Sequence, residues 1–133
     1  GVDYVDVPFT AKPSAVTVTG TLTADPTLAG VYPDLDFELR DSAGNVLNAS
    51  ANFGPNEQVG ATIEGGETYV YRVVGWANGP SVFRIVSDQS VADPADAGTG
   101  SGGSAMAPDT VTRLVRFTVD PLTGHVTIEY PNL

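Results

Sequence analysis

Between Asp34 and Arg84, apolar side chains recur at every second position, interrupted only by short polar and glycine-rich runs. Leu35, Phe37 and Leu39 alternate with Asp36, Glu38 and Arg40, which is the period of a strand with one face buried. In the run Asp41-Ser42-Ala43-Gly44-Asn45, Gly44 can take the positive φ of a hairpin turn. Val46-Leu47-Asn48-Ala49 then restarts the chain in the opposite direction. After a polar break, Val59, Ala61 and Ile63 alternate with Gln58, Gly60, Thr62 and Glu64. Gly65-Gly66 turns into Thr68–Val74, a run dense in β-branched and aromatic residues. Asn78-Gly79-Pro80 turns again into Val82–Val86. Five strands with a turn signal every dozen residues or fewer predict an antiparallel β domain.

The flanks extend that pattern. Val5, Val7 and Phe9 share one face of an opening strand, and Pro8, which cannot donate to a ladder, places it at an edge. Val16, Val18, Gly20 and Leu22 alternate with Thr17, Thr19, Thr21 and Thr23, so the apolar set faces the core and the threonines face solvent. A threonine ladder can also mark an ice- or polymer-binding face, but a solvated strand explains it more simply. Residues 24–34 read as a loop with two prolines and a glycine. Residues 88–109, rich in Gly, Ser, Ala and Asp, carry no apolar period and read as a flexible loop. Residues 110–131 read as a hairpin around Asp120–Gly124, which must add to an existing sheet edge, of this sandwich or of another copy by strand exchange, because a lone hairpin is marginal in water. The whole chain, 1–133, is expected to be one all-β domain of about 8–9 strands.

Composition removes several functions. A domain of 133 residues buries a core of its own, and with no cysteine there is neither a disulfide framework nor thiolate chemistry. Sixteen acidic residues against six basic ones give a charge of −10, which repels nucleic acid and anionic membranes. No apolar run is long enough for a membrane span, so membrane insertion is not expected. Gly1 does not open a secretory signal, and the N-terminus reads as a cut edge, of a mature form or of a longer protein.

Chemistry has little to stand on. The one histidine, His125, sits beside a hairpin turn on the polar face, and no nucleophile elbow, zinc-binding helix motif or phosphate-cradling loop is present. The chain is therefore read as no enzyme and as needing no organic cofactor. Calcium is the one metal with a case, since Asp34, Asp36, Asp41 and Asn45 gather oxygen ligands around one strand and its turn. Asp41 and Asn45 also account for themselves as turn formers. Tyr69, Tyr71 and Trp76 are the aromatic candidates for a ligand platform. Alternation puts Tyr69 and Tyr71 on one face and Trp76 on the other, so at most one face binds.

The order Asp34-Leu35-Asp36-Phe37, Asp41-Ser42-Ala43-Gly44-Asn45, Gly65-Gly66-Glu67-Thr68-Tyr69 and Tyr71-Arg72-Val73 resembles the bacterial pre-peptidase C-terminal (PPC) domain family. The likeness covers about residues 2–87, two thirds of the chain, and leaves the C-terminal hairpin unexplained. It implies a small jelly-roll-like β-sandwich, non-catalytic, attached to secreted peptidases and other extracellular hydrolases. Some members bind calcium near this strand. The expected role is an accessory domain, secreted or at the cell surface. It would aid the folding, secretion or targeting of a parent protein, whose other domains or an extracellular polymer of protein or polysaccharide would be its partners. The alternative is a structural or adhesion module of a cell-surface protein with no ligand of its own.

Overall fold

The computed structural model describes residues 3–25, 34–51, 56–77, 81–93, 106–119 and 126–129. For residues 3, 76, 77, 81, 106–119 and 126–129 only the backbone is described. Nine strands lie in these stretches: β1 (Asp3–Thr10), β2 (Ala15–Ala24), β3 (Asp34–Asp41), β4 (Val46–Ser50), β5 (Asn56–Thr62), β6 (Thr68–Ala77), β7 (Ser81–Val91), β8 (Met106–Val119) and β9 (Val126–Glu129). They form two antiparallel sheets, β1-β6-β3-β4 and β5-β2-β7-β8-β9, packed face to face as a β-sandwich. The chain crosses between the sheets from β1 to β2, β2 to β3, β4 to β5, β5 to β6 and β6 to β7, winding them around a shared core in the manner of a jelly roll.

The core follows the alternation. Val5 and Val7 of β1, Leu35, Phe37 and Leu39 of β3, and Tyr69, Tyr71 and Val73 of β6 face Val18 and Leu22 of β2, Val59 of β5, and Phe83 and Ile85 of β7. Pro8 does lie in an edge strand, since β1 ends its sheet. The C-terminal hairpin completes the sandwich: β8 pairs with β7 from Ser81↔Val115 to Ser90↔Met106, and β9 pairs with β8.

Three details depart from the sequence expectation. First, Val16 is exposed rather than buried, because the β2–β7 register slips between Ala15 and Thr17. The extra residue of this bulge sends Ala15 inward and Val16 out. Second, β7 continues through Ser87, Asp88, Gln89 and Ser90 to Val91, where a loop was expected from residue 88. The strand tolerates inward polar groups because both are satisfied. The Ser87 hydroxyl lies 2.6 Å from the Tyr71 hydroxyl, and Gln89 Oε1 accepts the Lys12 backbone N–H at 2.8 Å. Third, β8 begins at Met106, so the expected loop is shorter at both ends, and its centre, 94–105, lies outside the described residues.

Strand β4 is exposed along its length and ends its sheet. Two side-chain bridges tie it to β5 of the opposite sheet: Asn48 Nδ2 donates to the Gly60 carbonyl at 2.8 Å, and the Ser50 hydroxyl meets the Glu57 carboxylate. Asn48 Oδ1 also accepts the Ala49 N–H at 2.8 Å, so one outward donor of the edge is already occupied. Such an occupied edge is a poor template for another strand. Asn48→Val should cost about 1 kcal/mol of stability and raise the fraction of dimer and higher species in light scattering behind size exclusion. A wholly monomeric variant would show that the edge is protected by other means.

Gly20 has a packing reason. A Cβ there would run into Cε1 of Tyr71, whose ring is held between Phe9 and Phe37. Gly20→Ala should therefore lower unfolding free energy by about 1–3 kcal/mol in urea titration; an unchanged midpoint would mean that the ring has room to move.

Candidate functional site

The outward face of the four-stranded sheet carries the densest arrangement of charge and exposed aromatic surface among the described residues. Register makes it. Asp6 of β1 pairs with Arg72 of β6, and Arg72 pairs with Glu38 of β3, so acid, base and acid form one cross-strand row. Arg72 Nε and one terminal nitrogen bind the two Asp6 carboxylate oxygens at 2.7 and 3.0 Å. The same guanidinium lies 3.8 Å from the ring centroid of Tyr4, which is 49% exposed. The Asp6 hydrogen bonds hold the Arg72 guanidinium still more firmly protonated, the pairing outweighing its partial burial. Arg40 binds Glu38 through Nε at 2.8 Å and reaches the Gly44 carbonyl at 3.1 Å, joining strand to turn. Each pair is half-exposed and contributes about 1 kcal/mol or less. Their larger effect is to fix side-chain positions.

Tyr4 was not singled out in the sequence, although its signal is there: Val5, Val7 and Phe9 point inward, which leaves Tyr4 outward. The expected platform residues are placed differently. Tyr69 and Tyr71 are core residues, 6% and 2% exposed, and a ligand cannot stack on either ring. Each phenol has an internal partner, the Glu64 N–H for Tyr69 and Ser87 for Tyr71. Arg72, which follows Tyr71, gives the physical reason: its charge takes the solvent face, so Tyr71 and, two positions back, Tyr69 point inward. Trp76 lies in β6, but its side chain lies outside the described residues, as does His125.

The four candidate calcium ligands do not converge. Asp34 and Asp41 sit at opposite ends of β3, eight residues long, about 23 Å apart at strand rise. Asp41 instead organises its turn. Its carboxylate accepts the Ala43 N–H at 3.0 Å, the Asn45 N–H at 2.9 Å and Asn45 Nδ2 at 3.0 Å. Gly44 completes the turn with φ near 90°. Those Asn45 hydrogen bonds hold the Asp41 carboxyl below the usual carboxylate range. At the other end, burial and then the neighbouring Asp36 charge push Asp34 up. Among the described residues no three His, Cys, Asp or Glu side chains gather to hold a metal.

Two clefts flank the 41–45 turn. One, of about 250 Å³, is lined by Asp6, Arg40, Arg72 and Val70 and continues the outer face. The other, of about 360 Å³, opens between the turn, Leu47 of β4 and the residues joining β5 to β6.

No protein-family model and no curated protein matches this chain.

The two shifted carboxyls predict opposite pH behaviour. Asp41, depressed in the fold, stabilises at neutral pH, and that stabilisation is lost as pH falls below the unfolded value near 3.8 towards the folded one. Asp41→Ala should lower Tm at pH 7, and the gap should narrow at pH 3. Asp34, raised in the fold, destabilises while ionised and ceases to do so as pH falls through its folded value. Asp34→Asn should raise stability at pH 7 by roughly 0.5 kcal/mol and leave it unchanged at pH 3; a loss at pH 7 would contradict the assignment.

Proposed function

We propose that this chain is a non-catalytic accessory domain of an exported bacterial protein, a secreted peptidase or another hydrolase. In that role it keeps the parent close to a polymeric substrate or surface, or aids its folding and export. The observation that carries the reading is the outer face of the four-stranded sheet. There an exposed aromatic ring, Tyr4, is braced by Arg72, and Arg72 in turn by Asp6. A fixed ring on a flat strand face lies against an extended chain at little entropic cost. The titratable groups beside it have structural partners, which suits a surface that holds a ligand rather than one that transfers protons. The resemblance to pre-peptidase C-terminal domains supports the same reading, and so does a sandwich whose interior is filled by packed side chains.

A second reading is a structural or adhesion module without a ligand. The mutual pairing of Asp6 with Arg72 and of Glu38 with Arg40 favours it, because a solvated face carries the same pairs.

A depletion assay separates the two. Purified protein is mixed with insoluble collagen, chitin, cellulose and peptidoglycan, in calcium and in chelator. The targeting role requires retention on one polymer, reduced about tenfold by Tyr4→Ala, the scale of one aromatic contact. Trp76→Ala tests the remaining aromatic candidate in parallel. Absence of retention on all four polymers would favour the structural module.

A further inference from the structure

The larger cleft, on the other side of the 41–45 turn, has a chemistry unlike that of the outer face. Its floor is apolar, with Leu47 at 39% exposure beside the nearly covered Ile63 and Tyr69. Its rim is acidic, carrying Asp41, Glu64 and Glu67, and among the described residues no basic side chain lines it. On the outer face Asp6 and Glu38 each have an arginine bound to them. Here Asp41 turns its oxygens to the N–H groups of its own turn and adds negative charge. Glu64 and Glu67 make no side-chain hydrogen bond or ion pair among the described residues. Of the three carboxylates only Asp41 serves the fold, through its turn; Leu47 leaves apolar area wet beside Glu64 and Glu67, whose charges repel one another.

We infer that this cleft receives a lysine side chain from an extended segment of a partner polypeptide. The fit is by halves. A lysine lays its methylene stem along apolar surface and keeps its ammonium in water. Leu47 and Ile63 supply the first environment and the wet rim at Glu64 and Glu67 the second. Arginine fits less well, because its planar fork gains most from bidentate carboxylates or from stacking on an aromatic face. The buried Tyr69 ring gives arginine no face to stack on, and Asp41 uses both carboxylate oxygens within its turn, so only Glu64 and Glu67 have oxygens to offer it. The chain's net charge of −10 draws a cationic segment in from a distance. This goes beyond the accessory-domain reading and does not depend on it, since Tyr4 and the polymer assay concern another face.

The test is an NMR titration of the 15N-labelled full chain at low salt. The probe is Nα-acetyl-lysine N-methylamide, and the norleucine counterpart, which keeps the stem and lacks the ammonium, is the control. Lysine should shift resonances of residues 42–43, 47 and 62–68 with a Kd on the order of 1–10 mM, and norleucine should bind at least about fivefold more weakly. Glu64→Gln/Glu67→Gln should weaken the lysine probe by about five- to tenfold. These residues are exposed, and an otherwise unchanged spectrum confirms the fold of the variant. Leu47→Ser should weaken both probes. Shifts scattered away from the cleft, equal binding of norleucine, or undiminished binding by the double variant would each overturn the inference.

Discussion

Tyr71 is the residue on which the two sheets depend. Its ring stacks 4.8 Å from Phe9 and 5.2 Å from Phe37, tying β1 and β3 to β6 within one sheet. Its edge rests on Gly20 of β2, and its hydroxyl meets Ser87 of β7, both in the other sheet. One side chain of β6 thus touches four other strands. An aromatic with a polar tip suits that place because it fills the space between sheets and still satisfies an inward hydroxyl on the far side. The consequences spread outward. Position 20 must be glycine-sized, position 87 must offer a hydroxyl, and β7 can continue past its last apolar pair. That continuation is what gives β8 a long strand to pair with, and so the C-terminal hairpin a place in the fold.

A sandwich built this way leaves sheet edges that could recruit other chains. Here each described edge device is local and chemical. Pro8 removes a donor from β1, while Asn48 occupies the Ala49 N–H and the Gly60 carbonyl at once. Ser50 and Glu57 add a second bridge between β4 and β5. The strong negative charge acts on the same problem at longer range, since copies of the chain repel one another.

Much of this was legible in the sequence because burial on one face writes itself as a period of two. Leu35, Phe37 and Leu39 needed nothing more, and Asp41, Gly44 and Asn45 announced their turn. What misled was the absence of a marker for which face is inner when both carry large residues. Tyr69 and Tyr71 looked like a platform until Arg72 is weighed: a charge on the alternate face fixes the tyrosines inside. The end of β7 was hidden for the opposite reason, since Ser87 and Gln89 are inward yet polar and only their partners, Tyr71 and the Lys12 N–H, explain them. The bulge at Val16 was hidden because register is a property of two strands, and neither sequence shows it alone. That Asp34 and Asp41 stand at opposite ends of β3 was legible only once the run was read as extended, since residues close in sequence on a strand are far apart in space.

The distribution of paired and unpaired charge is the remaining step. With the described interior filled by packed side chains, selective contact with other molecules falls to the surface. The surface is not uniform. Across the outer face, register sets Arg72 between Asp6 and Glu38, so charges cancel locally and Tyr4 is held still above them. Beside the 41–45 turn, the same hairpin that places Arg40 near the outer face leaves Glu64 and Glu67 next to Leu47 without a counter-charge among the described residues. One turn therefore divides a face on which Asp6 and Glu38 are each paired with an arginine from an acidic, partly apolar cleft. Asp41 stands on the boundary: it keeps the turn in shape through its N–H bonds and contributes its charge to the cleft. Its double position makes the turn the natural link between the geometry of the one surface and the electrostatics of the other.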